Sequence, residues 1–346
     1  MGRAMWSGLV GVLSLALIAA DEPPTSPLGS DYPEPPPLIA DRMVDGRFEP
    51  GNFEYLRGYF PEANAQERAQ YAQLVDWLKE CDPRGRERLD AQLAELGLSL
   101  AFDRYTSAQA SLCRQVFRGE QFQDRFATFE DLEAATREAR LVFATLVESI
   151  RLVEQRVGSV ESNFARELET RTLGEQLLRL SYSWTRVTDD RPRLPQMSED
   201  AATAFNTLVL GETGRVDREN TRWLKQKVEA GGWPKLSEVG EKASDAAWLL
   251  AQHADHDPVF QYRALQMMEP MVAEGEVSKS NYAYLYDRIM LKLQGKQRYG
   301  TQVTCVDSEH APDALEEPDR LNELRAEMEL SSIEEYLGWF PGSCQN

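Results

Sequence analysis

Nine polar residues in the C-terminal third of the chain have types and spacings that suit a small-molecule site. They are His253, Asp255, Gln261, Asp287, Arg288, Gln297, Tyr299, Thr301 and Gln302. His253 is the acid–base candidate, with Asp255 or Asp287 to assist it. A helix C-terminus and nearby carboxylates both favour its protonated form, which suits an acid better than a base. Arg288 carries a fixed fork of donors, and the glutamines each offer a donor and an acceptor, so they suit holding a polar substrate or ligand. The same residues have a plainer use. Buried polar groups must be hydrogen-bonded, and a satisfied network pins a fold without doing chemistry. Both readings stand on the sequence. A metal is a weaker reading. His253 and His256, with Asp255 and Asp287, offer imidazole and carboxylate, but Asp257 is better used as a helix cap and no strong ligand spacing is present. No metal and no cofactor are therefore expected. The chain also lacks a Gly-x-Ser-x-Gly elbow, a phosphate loop, a dinucleotide fingerprint and a Cys-x-x-Cys pair.

Three helices have to position these residues, and all lie within Trp233–Gln302. The first is expected from a Ser237 cap to about His253, with Val239, Ala243, Ala246, Ala247 and Leu250 on one face. The second starts at the Asp257 N-cap with Pro258 at the first helical position, and ends near Gly275. The third runs from Ser278 to about Leu293. Short connections make successive helices antiparallel neighbours. The end of the first, the start of the second and the end of the third then share one end of the bundle. The chain leaves that end as Gln297–Gln302, read as a strand, so His253, Asp255, Gln261, Asp287, Arg288, Gln297, Tyr299 and Gln302 are expected to converge.

The stretch also carries a resemblance. Gly232-Trp233-Pro234, Gln252-His253-Ala254-Asp255, Phe260-Gln261, Tyr284 with Asp287-Arg288, and Gln297 followed by Tyr299-Gly300-Thr301-Gln302 are the matching pieces. A weaker tail match runs from Arg325 through Leu330 to Tyr336. Over about residues 200–340 the chain resembles an uncharacterised, mostly bacterial family with a Tyr-Gly-Thr-Gln motif, a domain of unknown function. The resemblance implies no activity.

The rest of the chain sets the context. Residues 1–20 read as a secretory signal peptide, with Arg3 in the n-region and an apolar run from Gly8 to Ala20. That run is too short to span a membrane. Residues 21–39 hold seven prolines in nineteen positions and read as an extended tether. Residues 40–190 and 196–346 read as two helical domains, with an Asp- and Pro-rich boundary at Thr188–Ser198. Further stripes are expected at Tyr71–Leu78, at Leu89–Leu96, after a Thr128 cap, and at Phe164, Leu168, Leu177 and Leu180; another helix is placed after an Asp217 cap. The fold class is mostly α, a helical bundle or short helical array, with a small β-hairpin near residues 297–306. His310 is placed in an acidic loop.

The formal net charge is −19 and the isoelectric point about 4.7. Such a chain repels nucleic acid and anionic lipid, which makes both poor partners, and no nucleic-acid partner is expected. Its four cysteines, Cys81, Cys113, Cys305 and Cys344, allow three pairings. Cys81–Cys113 and Cys305–Cys344 keep each bridge within one domain. The chain thus reads as a periplasmic or secreted binding or interaction module for a small polar ligand or a protein, with no membrane span in its mature form. The competing reading is a hydrolase-type enzyme using His253. Export has a direct check: mass spectrometry of the mature protein is expected to show loss of about twenty N-terminal residues, and an intact Met1 refutes it.

Overall fold

The computed structural model describes residues 33–44, 47–101, 113, 122, 125–156, 162–185, 196–340, 342 and 344. The expected signal peptide, most of the proline-rich tether and most of the Thr188–Ser198 boundary lie outside the described residues. The fold is mostly α. Its order is α1 (Pro37–Ala40), the short strands β1 (Met43–Val44) and β2 (Arg47–Phe48), α2 (Ala65–Ala94), α3 (Phe129–Glu154), α4 (Asn163–Ser181) and α5 (Glu199–Gly231). There follow α6 (Leu236–Val239), α7 (Glu241–Gln252), α8 (Pro258–Glu274), α9 (Lys279–Gln294), the hairpin β3 (Val303–Val306) and β4 (Glu309–Pro312), then α10 (Leu321–Glu327) and α11 (Ile333–Leu337).

Side-chain caps set most of the helix starts. Asn64 and Glu67 form a reciprocal capping box at α2. Thr128, Ser162 and Ser198 cap α3, α4 and α5. Gly232, at φ 79°, ends α5 in a conformation that favours glycine. The two stripes expected at Tyr71–Leu78 and Leu89–Leu96 belong to one 30-residue helix that continues through Pro83. At 1.5 Å per residue it is about 45 Å long. That length lets it serve two cores. Leu74 and Trp77 join an aromatic-rich core with Phe53, Phe60 and Phe129, whereas Leu89 and Leu93 join a second core built on α7, α8 and α9. Helix α5 does the same, with Phe205 and Leu208 in the first core and Leu224 and Val228 in the second.

Several local expectations are corrected. Asp217 caps nothing; it lies inside α5, because the buried face continues past it from Ala201 through Thr213, Asn220 and Thr221 to Val228. Ser237 does not start the helix that ends at Gln252. Gly240, at φ 81°, breaks that helix into α6 and α7, and Ser237 instead donates through its backbone N and hydroxyl to Glu276, both at 2.9 Å. Leu180 is 62% exposed, since it lies off the face of α4 that buries Leu178 and Ser181. Tyr299–Gln302 is a turn with Gly300 at φ 65°, and the strand begins at Val303. His310 is on β4 opposite Cys305, with its ring 5.2 Å from that of Phe340.

Both bridges follow the expected pairing. Cys81 bonds Cys113 with Cα atoms 6.0 Å apart, and Cys305 bonds Cys344 with Cα atoms 5.7 Å apart. The second ties the hairpin to the C-terminal residues. Replacing Cys305 and Cys344 together by serine is expected to cost about 2–4 kcal/mol in urea unfolding. An unchanged midpoint contradicts that expectation.

Candidate functional site

Helices α7, α8 and α9 pack as the short connections require. Asp257 caps α8 by accepting from the Phe260 amide at 2.9 Å, with Pro258 at the first helical position. Ser278 caps α9, and Gly275 and Gly295 close α8 and α9 in the left-handed region. These caps fix where the loops begin, and the polar side chains divide into three groups.

The first group surrounds Asp255, in the loop between α7 and α8. Arg288 meets its carboxylate with both Nε, at 2.8 Å, and Nη2. Lys292, one turn later on α9, donates to Asp255 at 2.6 Å and to the Gln261 carbonyl at 2.8 Å. Gln261 is fully buried, and its amide donates to the carbonyls of Ala251 and Gln252, each at 3.1 Å. Burial alone raises a carboxyl pKa, but Lys292 and Arg288 outweigh it and hold Asp255 well below the ordinary carboxylate range. Burial pushes the Lys292 ammonium down, against the pull of Asp255. These three charged groups sum to one positive charge.

The second group is a stitch. The buried Asp287 carboxylate accepts the backbone amides of Arg298 (2.8 Å), Tyr299 (2.9 Å) and Thr301 (2.8 Å). The fully buried Gln297 donates to the carbonyls of Gln302 (2.8 Å) and Asp313 (3.0 Å), and its own carbonyl accepts from the Gln302 amide at 2.9 Å. Arg325 donates to the Tyr299 carbonyl and Tyr336 to that of Thr301. Every hydrogen bond of Asp287 and Gln297 named here goes to the main chain. Burial raises the Asp287 pKa while the amides pull it back, and the net direction is upward.

The third group contains His253, which turns away from Asp255 toward α4 and α5. Its Nδ1 is 2.6 Å from Oε1 of the fully buried Glu175, and Arg179 Nε is 3.3 Å from the same nitrogen. A proton on Nδ1 serves the Glu175 contact and a bare Nδ1 the Arg179 contact, so the two contacts call for different tautomers. Arg179 also donates to Asp217 at 2.8 Å. Burial pushes Asp217 up from 3.8 to about 6, although Arg179 opposes the shift. His256 is half-buried, and desolvation pushes its imidazole down to about 4.

A cleft of about 150 Å³ opens between α9 and the hairpin. Asp255, Arg288, Lys292, Gln302 and Asp313 supply its polar lining, and Leu291 and Val303 its apolar part. Of the nine residues singled out in the sequence, Asp255, Arg288 and Gln302 line this cleft, with Gln261 behind Lys292. Asp287, Gln297, Tyr299 and Thr301 hold the turn beside it. His253 is not part of the cleft's lining. Among the described residues, no group of three or more His, Cys, Asp or Glu side chains is arranged to hold a metal ion.

Residues 189–342 match a family of unknown function (DUF6624). The matched stretch takes in all three groups except Glu175 and Arg179, and it contains the whole cleft. No curated protein and no solved structure matches the chain.

Sequence reading missed Lys292, Glu175 and Arg179. Lys292 had a usable signal, since it stands four residues after Arg288 between Leu291 and Leu293 on a helix whose core face is apolar. Glu175 and Arg179 share the same spacing on α4, but nothing in the sequence ties them to His253. Asp217 yields a test. Its folded pKa lies above its unfolded one, so its contribution to stability is fully present below about 3.8 and is lost as pH rises through about 6. Relative to Asp217→Asn, the wild type is expected to lose up to about 1.4 kcal/mol of stability per pH unit across that window. Urea unfolding in matched buffers measures it, and a pH-independent difference contradicts it.

Proposed function

We propose that residues 196–346 form a binding module for a small polar ligand, and that the protein carrying it is exported. The observation that carries this reading is the cleft of about 150 Å³, into which Asp255, Arg288, Lys292, Gln302 and Asp313 converge from three separate segments. Arg288 and Lys292 are fixed by Asp255, and Lys292 is further fixed by Gln261, so little side-chain order remains to be imposed on binding. Export rests on the Arg3 and Gly8–Ala20 pattern together with two disulfides. No helix among the described residues is long and apolar enough to cross a membrane.

A hydrolase-type reading draws on a different observation. A histidine held at Nδ1 by a buried carboxylate is the arrangement that orients a general base or acid. In that reading Glu175 takes the assisting role first given to Asp255 or Asp287. The binding reading is preferred because the cleft and His253 are separate.

Thermal unfolding with a panel of amino acids, organic acids, amines and sugars tests the module. A bound ligand at a hundred times its Kd is expected to add about 2.7 kcal/mol of stability, and Arg288→Gln is expected to abolish the effect. A panel that shifts nothing, or a shift that survives Arg288→Gln, defeats the binding reading.

A further inference from the structure

The cleft is electrically two-sided. On one wall, Asp255, Arg288 and Lys292 form a network with a net charge of one positive unit, and Lys292 is 6% exposed. Two of the three ammonium protons of Lys292 are committed, to Asp255 and Gln261. On the other wall stands Asp313. One of its oxygens accepts the Ala314 amide at 2.8 Å, and the other has no partner among the described residues. Gln302 lies beside it. Its amide nitrogen donates to the Thr301 hydroxyl at 3.2 Å, while its carbonyl oxygen has no partner among the described residues. One wall therefore offers donors and positive charge, and the other offers acceptors and negative charge.

This pattern discriminates by charge. A plain anion gains at Lys292 and Arg288 but meets the Asp313 carboxylate. A plain cation gains at Asp313 and meets two basic side chains. A molecule with both charges close together satisfies both walls, and like-charge juxtaposition rejects the others. Size narrows the class further. A volume of about 150 Å³ lies below the ~300–1,000 Å³ of pockets for drug-sized ligands and suits a molecule on the scale of a small amino acid. Leu291 and Val303 add a limited apolar surface that suits a short side chain.

Resting on the binding reading above, we propose that the cleft takes a free α-amino acid with a small side chain. Its carboxylate faces Lys292 and Arg288, and its ammonium group faces Asp313 and Gln302.

Calorimetric titration of the full mature protein with alanine, propionate, ethylamine and glycerol tests this. Alanine is expected to bind at least about tenfold more tightly than propionate or ethylamine, a difference of about 1.4 kcal/mol. Asp313→Asn changes a rim position and keeps the Ala314 contact available. It is expected to weaken alanine by about tenfold while leaving propionate unchanged or tighter. Propionate binding as tightly as alanine in the wild type, or Asp313→Asn leaving alanine unaffected, overturns the amino-acid assignment and leaves a polar binding module standing. Glycerol binding in preference to alanine does the same. If none of the four binds and the broader panel also shifts nothing, the binding module itself fails. Circular dichroism of Asp313→Asn separates lost binding from lost folding, and Gln302→Ala, which retains the Gln302 backbone amide, is expected to weaken alanine in the same direction should Asp313→Asn misfold.

Discussion

The C-terminal unit depends on one buried carboxylate. Asp287 sits near the end of α9 and accepts three amides from the turn that follows. A helix end leaves its own last carbonyls unpaired, and a tight turn leaves amides unpaired. Asp287 resolves the second of these with a single side chain. Once Arg298, Tyr299 and Thr301 are held, Gly300 must take a positive φ, and the chain leaves toward Val303 along a fixed path. Gln297 then joins the Gln302 and Asp313 backbones as a strand would. Arg325 and Tyr336 cap the carbonyls of Tyr299 and Thr301 from the opposite side. These bonds fix the path of the chain from α9 into the hairpin, and the cleft lies between α9 and β3.

The helices were legible in the sequence because their signals are local. Caps at Thr128, Asp257 and Ser278 are read from residue type and position, and Gly275 marks a stop. Antiparallel packing is why His253, Asp255, Gln261, Arg288 and Gln302 are expected at one end of the bundle; Asp255, Arg288 and Gln302 line the cleft there, while His253 faces Glu175 instead. What failed has a common cause. Asp217 looks like a cap because aspartate favours caps, and only its neighbours across the helix, Arg179 and Glu175, explain an aspartate inside α5. His253 and Asp255 are two residues apart, yet they face different helices, because the chain has left α7 at His253 and no longer follows helical periodicity. A turn and a strand are likewise hard to tell apart at Tyr299–Gln302 when the bonds that decide between them come from Asp287 and Gln297.

The three polar groups make different electrostatic demands. Around Asp255 the positive charge is in excess, so that carboxylate stays ionised far into acid. Around Asp217 the balance is reversed. Burial raises the proton affinity of Asp217 and the nearby Glu175 carboxylate adds to it, against the opposing charge of Arg179 and His253. Asp217 therefore has its pKa raised to about 6, whereas Asp255 is held well below the ordinary carboxylate range.

The residues that define the turn and those that face the cleft belong to one device with divided labour. Asp287 and Arg288 are consecutive on α9, so their side chains point about 100° apart around the helix. Asp287 reaches the turn, and Arg288 reaches Asp255. Gln302 has the same double duty within one residue: its backbone amide is bound by Gln297 while its side chain enters the cleft. A rigid turn supplies what a small ligand site requires, namely polar groups fixed before the ligand arrives. Gln302 and Asp313 hold the hairpin through their main-chain carbonyls, which accept from Gln297. Both also line the cleft, each with one side-chain oxygen that has no protein partner among the described residues, so the same two residues serve the fold with their backbone and the cleft with their side chains.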